Sequence, residues 1–262
     1  IRSRIAYWFI FFSCFKPLIK LLKEEKPDYL IIHLITSLPM IVFTIFNLNT
    51  KLILRISGFP KLNFFRKLIW NLVKKKVNLV FCPTVATSNH IKNLNFFENK
   101  NVYFLRDPII KVRETVIKKN SNSDMEAVKN KNYLLSIGRL TRQKNFLFLI
   151  DCFKEIADLV KNLDLIIIGE GEEKEKILFK IKKYNLENRV FLKSYKKNVF
   201  KYFKYCKCFI LSSLWEDPGF VLVEAAFCNK PIISSNCFNG PSEFLHNGKG
   251  GFLYESNSKD DF

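Results

Sequence analysis

Tyr133-Leu134-Leu135-Ser136-Ile137-Gly138-Arg139 and, further along, Leu165-Ile166-Ile167-Ile168-Gly169-Glu170-Gly171 are two short apolar runs, each closed by glycine. Between them, residues 146–160 carry a helical period. The reading is strand, helix, strand. The beat then continues with a helix over 172–184, a strand at 190–192, a helix near 199–205, and strands at 208–211 and 231–235. Strands alternating with helices at this spacing predict a parallel sheet covered on both faces, hence an α/β fold.

The first half repeats the theme more softly. Residues 1–26 read as a helix that stops before Pro27, because proline cannot continue a helix and disfavours it in the residue before. Tyr29-Leu30-Ile31-Ile32 reads as a buried parallel strand with His33 at its carboxyl end. Helices over 36–47 and 84–93 and strands at 51–56, 77–82 and 102–105 follow. Beyond about residue 113 the chain turns polar and rich in lysine and asparagine, the composition of a linker. The expected division is a first domain over 1–115, a linker over 116–131 and a second domain over 132–262.

Charge separates the halves. Residues 1–131 hold 23 Lys/Arg against 8 Asp/Glu (+15), and residues 132–262 hold 20 against 16 (+4). A basic first half points to an anionic partner such as a membrane surface, although an A+T-rich coding bias would also raise lysine. Residues 62–77 form an amphipathic stretch. Phe65, Leu68, Ile69, Leu72 and Val73 share a face, with Lys61, Arg66, Lys67 and Lys74 to Lys76 around it. Such a helix either lies on a membrane or packs on its domain with a solvated basic face. The apolar run over 5–15 is too short to span a bilayer, which takes about 20 residues. None of the seven cysteines makes a C-x-x-C pair, so they read as buried free thiols of a reducing compartment.

Open α/β sheets bind ligands beyond the carboxyl ends of their strands. Gly138-Arg139, Gly169-Glu170-Gly171, Glu216-Asp217-Pro218-Gly219 and Asn239-Gly240-Pro241 all fall there, which predicts one shared crevice. Arg139 and Lys144 are candidate diphosphate ligands, a planar fork and a point charge. Asp217 as N-cap and Pro218 as first helical residue would open a helix running to about 227. The free amides of Gly219, Phe220 and Val221 would then face an anion at the positive end of the helix dipole. Asp217 in that position would compete with the anion. Glu216 and Glu224 flank the helix start, and ionised carboxylates are strong acceptors for sugar hydroxyls.

Taken in order, Gly138-Arg139-Leu140 through Lys144-Asn145, Ile168-Gly169-Glu170-Gly171, Glu216-x7-Glu224 and Gly240-Pro241-x-Glu243 resemble the family four retaining glycosyltransferases, the group 1 glycosyl transferases. Pro27 to His33 resembles the family's strand ending in histidine, while a family His-Gly pair is here Ser57-Gly58. The resemblance implies two Rossmann-like domains facing across a cleft, the GT-B type, both terminally truncated. It implies a retaining hexosyl transfer from a nucleotide-diphosphate sugar to a glycan or lipid-linked acceptor, in envelope polysaccharide or lipopolysaccharide assembly. Glu216, Arg139 and Lys144 would be catalytic. Gly138, Gly169, Glu170, Gly219, Phe220, Val221 and Glu224 would bind the donor, and His33 would touch acceptor or sugar. With no Asp-x-Asp motif, the expected site uses these cations in place of a metal, with no cofactor. Beginning at Ile1 without Met and lacking the family's glycine-rich first loop and closing helix, the chain reads as a fragment. The expected location is cytoplasmic, at the inner face of the membrane.

Two other readings stand beside this one. A sugar-nucleotide epimerase or phosphorylase would use the same fold. A non-catalytic basic protein would bind membrane or nucleic acid, although no nucleic-acid motif is present and the charge sits away from the motif-bearing half.

Overall fold

The computed structural model describes residues 2–34, 37–60, 62–121 and 132–262, with side chains from Trp8 onward. It divides into two compact units, Ile1–Asp107 and Pro108–Phe262.

The first unit is a four-stranded parallel sheet in the order β1 (Tyr29–His33), β2 (Lys51–Arg55), β3 (Val77–Cys82), β4 (Val102–Phe104). Helices α1 (Arg2–Glu24), α2 (Ser37–Ile45), α3 (Phe64–Val73) and α4 (Val85–Asn93) accompany it. Local signals place the helix starts. Thr84 caps α4 by accepting the amide of Thr87 at 3.0 Å, and Asn63 caps α3 by accepting that of Arg66 at 2.9 Å. The core joins Leu22, Ile32, Met40, Phe43, Leu52, Leu54, Trp70 and Val80. β1 is only half buried, contrary to the sequence reading. Leu30 and Ile32 turn inward, while Tyr29 and Ile31 are exposed, because strand side chains alternate and β1 is an edge strand. The apolar face read for α3 divides in the structure. Trp70 and Val73 are buried, but Phe65, Leu68 and Leu72 point to solvent. Among the described residues, no helix is long and apolar enough to cross a membrane.

The second unit is a six-stranded, wholly parallel sheet. Its order is β10 (Phe252–Tyr254), β9 (Ile232–Ser235), β8 (Cys208–Leu211), β5 (Tyr133–Ile137), β6 (Asp164–Ile168), β7 (Val190–Lys193). Helices α5 (Val112–Asn120), α6 (Phe146–Leu159), α7 (Lys174–Lys183), α8 (Phe200–Tyr205), α9 (Phe220–Phe227) and α10 (Pro241–Phe244) belong to it. β5, β6 and β8 are apolar and buried apart from the buried Ser136 and the leading Asp164 and closing Ile137, which are half-buried, as a sheet covered on both faces requires. One layer of core joins Tyr133, Leu135, Ile166, Phe203, Phe209 and Leu222, and the other Leu149, Phe153, Leu165, Ile167 and Ile177.

α5 occupies residues where a linker was expected. It packs on α8, and Asn198 Nδ2 donates to the Lys118 carbonyl at 2.9 Å and to Ser121 Oγ at 3.1 Å. The unit therefore begins at Pro108 and not near residue 132. The remainder of the expected linker, 122–131, lies outside the described residues. Short α10 and β10 were not foreseen, being too brief for a periodic signal. Of the cysteines, Cys82, Cys152, Cys206, Cys208, Cys228 and Cys237 are buried free thiols, while Cys14 is exposed. Burial pushes the thiols of Cys152 and Cys206 up to about 12, which keeps them protonated and inert.

Candidate active site

Along the second sheet the chain steps from β5 outward to β6 and β7, then returns to the other side of β5 to lay down β8. β5 and β8 are thus neighbours whose chains continue to opposite sides of the sheet, and such a switch point is where open parallel sheets generally hold ligands, beyond the strand ends. The loops after β5 and β8 both carry candidate residues.

The loop after β5 runs from Gly138 through one 3-10 turn, Arg142–Lys144, to Asn145, whose left-handed backbone (φ 53°) feeds α6. It is stitched to the loop after β8 on either side of Lys144. The Gln143 carbonyl accepts the Leu214 amide at 2.8 Å, and Gln143 Nε2 donates to the Trp215 carbonyl at 2.9 Å. Ser212 Oγ donates to the Lys144 carbonyl at 2.8 Å. These bonds deliver the Lys144 side chain to Glu216, with Nζ 2.6 Å from Oε1. Glu216 is only 4% exposed, so its carboxylate needs partners. Ser213, fully buried, supplies a second by donating its hydroxyl to the same oxygen. Both bonds fall on Oε1, leaving Oε2 to accept from a ligand.

Glycines hold the surrounding loops close. A Cβ at Gly169 would stand 1.8 Å from the Gly138 carbonyl oxygen, and one at Gly171 2.4 Å from that of Leu140. That approach lets the Leu140 amide reach the Glu170 carbonyl at 2.8 Å. Gly169 and Gly171 are thus explained by the meeting of two loops. Gly138 lies under the Lys144 side chain, where a Cβ would come within 3.1 Å. Arg139 is exposed beside it, and Glu170, also exposed, accepts the Tyr195 amide at 3.4 Å.

The start of α9 corrects the sequence reading. Asp217 does not cap it and Pro218 is not its first residue. The cap position is Gly219, with φ 85°, and the helix begins at Phe220. The left-handed backbone suits glycine, and a Cβ there would also come within 3.3 Å of the Glu216 side chain. Asp217 instead accepts from Asn239 Nδ2 at 3.1 Å, tying this loop to the one after β9. Asp217 is thus engaged by the loop after β9 and does not hold the cap position. The amides of Phe220 and Val221 open the first turn, where helix geometry provides no intrahelical acceptor. Glu224, a turn further on, is half-buried, and burial pushes its carboxyl up from the usual carboxylate range.

Gly138, Lys144, Glu216 and Gly219 therefore form one chain of neighbours, Gly138 against Lys144, Lys144 against Glu216 and Glu216 against Gly219. His33 stands in the first unit, exposed at the end of β1 in register with Arg55. Sequence reading missed Ser213 and Gln143 as site-builders, and it placed the Asn239 turn at the site without foreseeing that Asn239 holds Asp217. The only signal was their position, polar residues directly following apolar strand runs or sitting in turns.

The family model for group 1 glycosyl transferases matches residues 118–262, more than half of the chain. The chain belongs to the group 1 glycosyl transferases. It is 33% identical over 248 residues to an uncharacterized glycosyltransferase of Methanocaldococcus jannaschii, covering 87% of this chain and 60% of that protein. Over 129 residues it is 35% identical to the N-acetylgalactosamine-N,N'-diacetylbacillosaminyl-diphospho-undecaprenol 4-alpha-N-acetylgalactosaminyltransferase of Campylobacter jejuni, covering 49% of this chain and 34% of that one. The chain thus spans less than two thirds of the length of these group 1 relatives. Among solved structures, Anabaena HepE in complex with UDP superposes with a TM-score of 0.81 at 18% identity, covering 95% of this chain and 70% of that one. That likeness shows the glycosyltransferase fold of the GT-B type for this group 1 chain.

Proposed function

We propose that the protein is a retaining glycosyltransferase that moves a sugar from a nucleotide-diphosphate sugar to a glycan or lipid-linked acceptor in envelope polysaccharide or lipopolysaccharide assembly. The observation that carries this is the Lys144–Glu216 pair at the switch point, beside the first-turn amides of α9. Cleaving a sugar–diphosphate bond leaves negative charge on the departing phosphate, and stabilising that charge is the main catalytic demand. Lys144 retains ammonium donors beyond the one bound to Glu216, and Arg139 is exposed on the same loop. With the amides of Phe220 and Val221 they supply positive potential at one place, supporting a site in which side-chain cations and not a metal take that charge. In this reading Glu216, anchored through Oε1, offers Oε2 to donor-sugar hydroxyls, and Glu224 accepts from those of the ribose. The undecaprenol-linked substrate for which the Campylobacter relative is named favours a membrane-borne acceptor, with the protein peripheral at the cytoplasmic face.

The test is a panel of UDP-, GDP- and ADP-sugars screened by thermal shift, followed by transfer assays with lipid-linked acceptors. The expected result is stabilisation by one nucleotide class and a glycosylated product of retained anomeric configuration. Release of an epimerised or phosphorolysed sugar, or no response to any nucleotide sugar, contradicts the proposal.

A further inference from the structure

α3 turns its most apolar residues the wrong way for a domain helix. Trp70 and Val73 anchor it to the core. On the opposite side Phe64, Phe65, Leu68 and Leu72 are 75%, 72%, 48% and 58% exposed. Spaced at three, four and seven residues, they form one continuous stripe along the helix. The rings of Phe64 and Phe65 meet edge to face at 5.8 Å and shield little of each other. Leaving such a stripe in water forgoes the burial of two aromatic and two leucine side chains, which marks an interaction surface.

Its charge defines the partner. Lys67, Lys74 and Lys75 are exposed alongside the stripe. Lys76 is not available, because its Nζ donates to the Phe43 carbonyl at 2.6 Å. No carboxylate offsets these charges in the sequence nearby. From Tyr29 to Phe97 the chain contains nine Lys/Arg and no Asp or Glu. A nucleic acid would use the lysines and leave the aliphatic stripe uncovered. A bilayer with anionic headgroups uses both, since an in-plane helix buries its apolar side at the acyl boundary and sets its lysines among the phosphates.

We infer that the exposed side of α3, Phe64, Phe65, Leu68 and Leu72 flanked by Lys67, Lys74 and Lys75, is an in-plane docking surface for an anionic lipid bilayer. This deepens the reading of a membrane-borne acceptor and rests on it for purpose. The vesicle experiment below requires no sugar transfer, so failure of one is distinguishable from failure of the other.

The purified protein is spun with vesicles of phosphatidylcholine alone and of phosphatidylcholine mixed with phosphatidylglycerol, at low and high salt. Binding is expected to the mixed vesicles and to weaken with salt. Each lysine near such a surface contributes about fivefold to partitioning, so Lys67→Gln/Lys74→Gln/Lys75→Gln is expected to lose about a hundredfold. Phe64→Ser/Phe65→Ser is expected to lose the portion of binding that survives high salt. Circular dichroism and melting of both variants should match the parent, because the changed side chains make no core contacts. Equal binding to both vesicle types, no binding to either, capture of RNA in place of vesicles, or full binding by folded variants overturns the proposal.

Discussion

At Glu216 a buried carboxylate, a lysine and a serine hydroxyl form one unit, and its parts are not independent. Glu216→Ala leaves the Lys144 ammonium, 14% exposed, without its counter-charge. Breaking a pair in such surroundings costs about 3 kcal/mol or more, so urea denaturation should show that loss beside abolished transfer. Glu216→Gln keeps the shape and still accepts from Ser213. It should retain most of the stability while transfer falls at least about a hundredfold, the scale of losing a group that acts in the transition state. Unchanged turnover in the glutamine variant would sink the role given to Glu216. Ser213→Ala removes a bond to a charged acceptor, worth about 2 kcal/mol, and frees the carboxylate to rotate. It should lower kcat more than it raises the donor KM. Glu224 gives a pH prediction. Its folded pKa lies above the ordinary value of 4.5, so protonation favours the fold. That stability is fully present below the unfolded value and lost as pH rises through the folded one. Glu224→Gln should therefore gain Tm relative to the parent at about pH 8 and not at about pH 4, read from melts across that range.

Single elements are shaped by what their neighbours demand. The loops after β5 and β6 touch through backbone at Gly169, where a Cβ would overlap the Gly138 oxygen. Gly169→Ala must push the loop carrying Arg139 and Lys144 away from β6. It should cost about 3 kcal/mol in denaturant unfolding and raise the donor KM, whereas Gly248→Ala, whose nearest neighbour is 3.9 Å away, tests only the backbone strain of φ 95°. The glycine-after-strand pattern was visible in the sequence, but its reason was not. Pattern alone does not distinguish a glycine admitting a phosphate from one admitting another loop. The start of α9 was misread for a similar reason. Asp-Pro is a good helix opening by local preference, yet Asn239, brought in from the next loop, takes Asp217 instead.

For the molecule as a whole, the boundary between units follows packing and not composition. α5 is lysine-rich and only weakly periodic, so it reads as a linker, but Ile110 and the α5–α8 contact tie it to the second unit. A chain beginning at Pro108 should therefore unfold at a higher urea concentration than one beginning at Asn132; equal midpoints would assign α5 no stabilising role. Much of the rest was legible. The strand–helix alternation specified the parallel sheets, because period and length alone tell a buried strand from an amphipathic helix. Strand ends then placed Arg139, Lys144, Glu216 and Glu224 at one edge, since in a parallel sheet every strand delivers its following loop to the same side. Only the tertiary structure decided which of them touch. The order β8-β5-β6 sets the loops after β5 and β8 side by side, and that adjacency joins Lys144 to Glu216 across 72 positions of sequence. It also decided which side of α3 faces the core, because hydrophobicity says that a residue prefers burial but not which of two apolar stripes finds a neighbour.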